Sequence, residues 1–377
     1  MNTLTDSAAP VGNGLPTLRP EVASLPRYVP GVRAEGPDVA ALASNESHFD
    51  PLPSVLRGVF SAASTLNRYP DAGSLMLRAR LAEHLGATMD EVAVGPGSLG
   101  VLNQIISAFC RPGDEVIFPW RSFEAYPLVV QLAGATSVPV PLRDDESHDL
   151  NAMLAAVTEQ TRVIIICTPN NPTGVPVPHS KIEEFLGLVR SDILVVIDEA
   201  YIEFATAADT PDTLALYREH PNVCLLRTFS KAYGLAGLRI GYAVASRDIA
   251  EGLRKTALPF SVSALAQEAA IASLDAQDEI RDRVNAVVKE RERLLPALRA
   301  AGYNIPDSQA NFLWLRCDDD AREKLVADFN AAGILVRGYA RDGVRISLAD
   351  AEANQGVLSL LTNQSPKLTA DANLART

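Results

Sequence analysis

The sequence is poor in the residues that staple small folds or hold metals. Its four cysteines stand alone at positions 110, 167, 224 and 317, with no C-x-x-C pair, and its five histidines show no ligand spacing. A disulfide framework and a zinc cluster are thereby excluded, no metal site is expected, and the pattern suits a reducing cytoplasm. Long apolar runs are missing too, so no bilayer-spanning helix is expected and the protein should be soluble. The opening stretch, MNTLTDSAAPVGNGLP, has neither a basic n-region nor an apolar h-region, which argues against a signal peptide. Positive charge is scarce: 34 Lys and Arg face 46 Asp and Glu, a formal net charge of -12. That argues against a nucleic-acid polyanion as the main partner. Only six lysines occur, and none precedes Lys181.

What is present reads as a globular α/β chain. Hydrophobic residues make up 47% and charged residues 21% of 377 positions, enough to bury a large core, and the length favours two domains. Three continuous apolar runs recur at near-regular intervals: Val163 to Cys167, Ile193 to Ile197 and Val223 to Leu226. Such runs suit strands buried on both faces, and helices between them imply a parallel sheet. Ser180 and Glu183 read as a capping box for the helix joining the first two. A further strand over Val92–Val94 leads into Gly95-Pro96-Gly97-Ser98 and a helix from Leu99 to Phe109, and Arg121 to Tyr126 opens another helix. Ala276 to Ala301 reads as a long amphipathic helix interrupted by Pro296. Beyond it, strands at 311–316, 334–338 and 343–348 with a helix at 321–332 suggest a small second lobe.

Polar clusters follow each of the three runs directly: Thr168 to Gly174, Asp198 to Tyr201, and Arg227 to Lys231. In an open α/β sheet, ligands sit outside the carboxyl ends of the strands, so the three clusters are expected to meet in one crevice. The third continues as T-F-S-K-A-Y-G-L-A-G-L-R-I-G-Y, from Thr228 to Tyr242. A lysine with hydroxyl neighbours, glycines and a nearby arginine is what a phosphorylated aldehyde cofactor needs: an amine to hold the aldehyde, an arginine and hydroxyl for the phosphate. Pyridoxal phosphate is such a cofactor, and its ring works as an electron sink best when a carboxylate faces the pyridine nitrogen. Asp198 fits that role, although an aspartate there also serves as a loop residue or helix cap. Asn171 and Tyr201 suit the ring's phenolic oxygen, although Asn before Pro is also an ordinary turn residue. Gly97 and Ser98 at a helix start suit a phosphate, with Ser230 and Arg239. Phe123 is either a ring stacked on the cofactor or core packing. Burial near other cations would lower the Lys231 pKa and favour its basic form.

The motifs N-N-P-T-G, D-E-A-Y, T-F-S-K-x-x-G-L-A-G-L-R-x-G-Y and V-R-I resemble, in order, those of the class I/II aminotransferases of fold-type I, over about residues 25 to 360. The resemblance implies a large domain with a mostly parallel central sheet plus a smaller α/β domain. The expected boundaries are an N-terminal arm at 1–45, a large cofactor-binding domain at 46–275, a small domain at 276–362 and a tail at 363–377. It implies pyridoxal 5'-phosphate on Lys231, Asp198 at the ring nitrogen, Asn171 and Tyr201 at the phenolic oxygen, and Arg239 at the phosphate. It also implies a homodimer in which Tyr69 reaches the neighbouring subunit's phosphate and Tyr28 is lent across the interface. Arg345 matches the arginine that takes the substrate carboxylate, in bidentate fashion, and Asn45 is placed among the substrate contacts. The likeness is closest to the histidinol-phosphate aminotransferase branch. Within it, Trp120 to Pro127, Gly95 to Leu99 and Ser308 to Phe312 look like the actinobacterial aromatic (phenylalanine) aminotransferases. Histidinol-phosphate enzymes usually carry an acidic residue where Leu99 stands, a tyrosine where Phe123 stands, and N-E-N-P-[FY]-G where residues 45–50 read N-E-S-H-F-D. Arg337 matches an arginine that helps bind substrate phosphate in those enzymes. The expected activity is transamination between an aromatic amino acid and a 2-oxo acid such as 2-oxoglutarate. The alternatives are histidinol-phosphate transamination, a phosphothreonine decarboxylase, and a non-catalytic regulator on the same fold.

Overall fold

A computed structural model describes residues 16–26, 36 and 39–363. Tyr28 therefore lies outside the described residues. In chain order the strands are β1 (Ala40–Ala41), β2 (Val92–Gly95), β3 (Glu115–Trp120), β4 (Thr136–Pro141), β5 (Thr161–Cys167) and β6 (Leu194–Asp198). They continue as β7 (Val223–Thr228), β8 (Gly241–Ala245), β9 (Phe312–Arg316), β10 (Ile334–Leu335), β11 (Arg337–Tyr339) and β12 (Gly343–Ser347). Seven form one sheet in the order β2-β8-β7-β6-β5-β3-β4. Only β8 runs against its neighbours, so the other six carboxyl ends share one edge. The α/β architecture with a mostly parallel central sheet is as the sequence implied.

The continuous apolar runs explain this sheet. Successive side chains of a strand point to opposite faces. Val195 and Ile197 pack into one core, with Ile164, Ile166 and Leu225. Leu194 and Val196 pack into the other, with Val163, Ile165 and Leu226. With both faces covered, neither face tolerates a polar residue until the strand ends, where the polar clusters begin. Cys167 and Cys224 are buried within these runs, as small hydrophobes.

Four local readings need correction. The helix after β3 spans Tyr126–Leu132, so residues 121–125 are a connecting segment and not its first turn. The helix after β5 is His179–Leu188 with Pro178 at its N-cap position, and the Ser180 hydroxyl donates to Asp209 instead of capping. The expected capping box is absent because the helix starts two residues too early for it, directly after Pro178. Gln277–Ala300 runs unbroken through Pro296. That residue is exposed, so the carbonyl it leaves unpaired can turn to water. Finally, the strand read over 334–338 divides. β10 pairs in parallel with β1, whereas β11 joins β12 and β9 in a three-stranded antiparallel sheet.

Candidate active site

The shared carboxyl edge of the central sheet opens into a cavity of about 350 Å³. Asn171 follows β5, Asp198 ends β6, and Thr228, Ser230 and Lys231 end and follow β7. All of them line it. The lysine and the carboxylate that sequence reasoning assigned to one ring thus face one space.

Asp198 is 4% exposed. Its Oδ2 accepts from the Tyr126 hydroxyl at 2.8 Å, and its Oδ1 from the Ala200 amide at 3.3 Å. Burial pushes its pKa up to about 6, with the Tyr126 hydrogen bond opposing. At neutral pH this is a charged carboxylate without a cation beside it among the described residues, and such a charge is costly unless a positive group meets it. The opposite holds for Lys231. Burial first, then the positive charge of Arg345, lowers its pKa to about 7, and Nζ donates to the Ser44 carbonyl at 3.0 Å. A lysine lowered this far can serve as a base near neutral pH, where an ordinary lysine stays charged.

A third group of residues makes an anion cradle. Gly97 opens the 13-residue helix Gly97–Phe109 with φ +78°, and a Cβ there would stand 2.4 Å from Arg239 Nη2. Only glycine lets the guanidinium lie against the helix start. Arg239 Nη1 also donates to the Ser230 hydroxyl at 3.4 Å, and Thr228 Oγ1 donates to the same oxygen at 3.0 Å. Ser98 lines the cavity. Free amides at a helix start, an arginine and a hydroxyl together suit a phosphate. The reversed β8 is what brings Arg239 here. Gly241 pairs with Gly95, so the residues before β8 meet the turn after β2.

Arg345 is 6% exposed. It donates Nη1 to Asn171 Oδ1 at 2.6 Å and Nη2 to the Ala43 carbonyl at 2.7 Å. Its buried Nε has no partner among the described residues. The Tyr201 hydroxyl accepts from Asn45 Nδ2 at 3.0 Å. Phe123 lines the cavity and meets Tyr126 edge-on at 5.6 Å. Arg337 lines the cavity as well. Tyr69 is not brought into this cavity: it is 83% exposed and its ring lies 4.7 Å from that of Phe260. Sequence reasoning missed Tyr126 as the Asp198 partner, Ser44 as the acceptor for Lys231, and the cavity residues Glu124 and Tyr339.

Residues 37–358 match the family model "Aminotransferase class I and II", and the chain belongs to that family. It is 52% identical over 344 residues to the aromatic amino acid aminotransferase of Streptomyces coelicolor, covering 90% of this chain and 95% of that one. To the protein of the same name from Thermobifida fusca it is 48% identical over 347 residues, covering 92% and 96%. Among solved structures it is similar to the histidinol-phosphate aminotransferase of Sinorhizobium meliloti in complex with pyridoxal-5'-phosphate. The TM-score is 0.82 at 31% identity, covering 95% of this chain and 98% of that one.

Proposed function

We propose that this aminotransferase moves an amino group between an aromatic L-amino acid and a 2-oxo acid such as 2-oxoglutarate, with pyridoxal 5'-phosphate held by Lys231. The observation that carries the reading is that Lys231 and Asp198 line one cavity together with Ser98, Ser230, Arg239 and Arg345. A buried carboxylate with no cation beside it among the described residues, a lysine of lowered pKa and a helix-start cradle fit the cofactor's ring nitrogen, aldehyde and phosphate respectively. Bound there, the cofactor supplies an electron sink for the electrons released when the substrate Cα loses its proton.

The chain's own residues do the rest. Asp198, fixed by Tyr126, keeps a negative charge against the ring nitrogen. Asn171 and Tyr201 would hydrogen-bond the ring oxygen, Gly97, Ser98, Ser230 and Arg239 would hold the phosphate, and Phe123 would stack on the ring. Arg345 takes the substrate carboxylate, for which its Nε, without a partner among the described residues, is available. Lys231, as a neutral base, would take the proton from the substrate Cα onto its own Nζ. Asn45 positions Tyr201. Aromatic preference rests on the roughly half-identical relatives that bear that name. The histidinol-phosphate reading is favoured by the Sinorhizobium likeness and by Arg337 in the cavity. A panel of amino donors, read by the spectral change of the cofactor in the half-reaction, separates the two. Phenylalanine is expected to exceed histidinol phosphate in kcat/KM, and the reverse order would overturn the choice.

A cytoplasmic homodimer completes the proposal. Phe60, Leu66, Tyr69, Met76 and Leu258 are each more than 65% exposed, large apolar side chains that a partner subunit would cover. Tyr69 and Tyr28 would then serve the partner's site. No helix among the described residues is long and apolar enough to cross a membrane. Sedimentation of the native protein should give a dimer, and mixing Tyr69→Ala with Lys231→Ala protein should restore part of the activity that each lacks. A fully active monomer would remove both tyrosines from the site.

A further inference from the structure

Two arginines stand side by side in the cavity and differ in what they have left to give. Arg337 and Arg345 are direct partners in the antiparallel β11–β12 pair, so their side chains leave the same face of the sheet. Both guanidinium carbons lie 5.7 Å from the Tyr339 ring centroid. Arg345 keeps a buried Nε without a partner among the described residues. Arg337, by contrast, donates Nη2 to Glu124 Oε2 at 3.0 Å. Glu124 also lines the cavity, and it stands between Phe123 and Tyr126 in the segment that follows β3. The Glu124–Arg337 pair therefore ties the central sheet's edge to the three-stranded sheet, within the substrate space.

We infer that Glu124 is a specificity-determining residue that sets the anion-binding end of the pocket for a monoanion. Of these three groups alone, the carboxylate of Glu124 offsets one of the two guanidinium charges, which leaves a sum of one positive charge. A substrate carboxylate matches that sum. In histidinol phosphate a phosphate ester takes the place of the amino acid's carboxylate, so its anion meets the same two arginines. As a dianion it must either displace Glu124 from Arg337, leaving a carboxylate unpaired, or lie beside it as a further negative charge. Both oppose binding, and a repulsive group of this kind discriminates without adding any contact to the favoured substrate. Arg337, which alone would argue for a phosphate ester, is thereby turned into part of a carboxylate site. The inference rests on the proposed role of Arg345 as the carboxylate clamp.

The test uses the cofactor-loaded enzyme and two ligands that lack an amine and cannot react: 3-phenylpropanoate, a carboxylate, and 3-phenylpropyl phosphate. Calorimetry gives both dissociation constants for wild type and Glu124→Gln, with Glu124→Ala as the second variant should the first be insoluble. Removing one negative charge strengthens a dianion more than a monoanion. The preference for phosphate over carboxylate is expected to rise at least fivefold, and a smaller rise overturns the inference. A merely structural role for Glu124 would move both constants together. Phenylalanine turnover by the wild type is measured alongside. Its absence would sink the proposed function, whereas the ligand ratio judges Glu124 without reference to turnover.

Discussion

Lys231→Ala is expected to abolish transamination, lowering turnover by about 10³-fold or more, because one side chain serves as cofactor tether and as proton carrier. The visible band of the lysine-bound cofactor should vanish with it. The variant should fold, since Lys231 follows β7 and does not lie within it. An unchanged spectrum, with activity within tenfold of wild type, would remove the reading. The environment adds a second signature in the cofactor-free protein. The Lys231 pKa is lowered to about 7 from its ordinary value of 10.5, chiefly by burial. Between those pH values the unfolded chain binds more protons than the folded one, so stability rises with pH. The penalty is full below about pH 7 and gone above about pH 10.5. Lys231→Met, which keeps the length without the charge, should therefore be more stable than cofactor-free wild type at pH 7, by a few kcal/mol at most. The gap should close as pH rises. A gap that widened with pH would mean that the amine is not held neutral.

The parts of this site that could be read from the sequence are those carried by strand ends. Ile193 to Ile197 must leave the sheet at Asp198, because neither buried face accepts a charge, and the same holds for the residues after Cys167 and Leu226. Parallel neighbours then place Asn171, Asp198 and Lys231 along one edge with no further information. The parts that could not be read depend on pairings that leave no periodic trace. Tyr126 reaches Asp198 across β5, which lies between β3 and β6, and its helix gives no hint of a polar partner. Lys231 finds a backbone carbonyl, that of Ser44, which any residue type would supply. Glu124 and Arg337 lie 213 positions apart, and the junction at Val336, where the chain passes from one sheet to another, decides which way the arginine faces. The Ser180 capping box failed for a local reason, the preset dihedral of Pro178.

Asp198→Asn is expected to lower kcat/KM for the amino donor by about 10²- to 10⁴-fold. Asparagine keeps the shape and can still accept from the Tyr126 hydroxyl, so the change removes a charge and little else. Breaking a buried ion pair costs about 3–5 kcal/mol, and each 1.36 kcal/mol is a factor of ten in rate. In the cofactor-free protein the sign reverses. Burial raises the Asp198 pKa to about 6 from 3.8. The folded state therefore binds more protons than the unfolded one between about pH 4 and 6, and stability falls as pH rises through that window. Above pH 6 the variant should be the more stable of the two, by up to about 3 kcal/mol; below pH 4 the two should converge. The same substitution is thus expected to help the empty protein and cripple the loaded one, which no purely structural role for Asp198 predicts. A variant that kept kcat/KM within threefold of wild type would show that the carboxylate does not face the reacting ring.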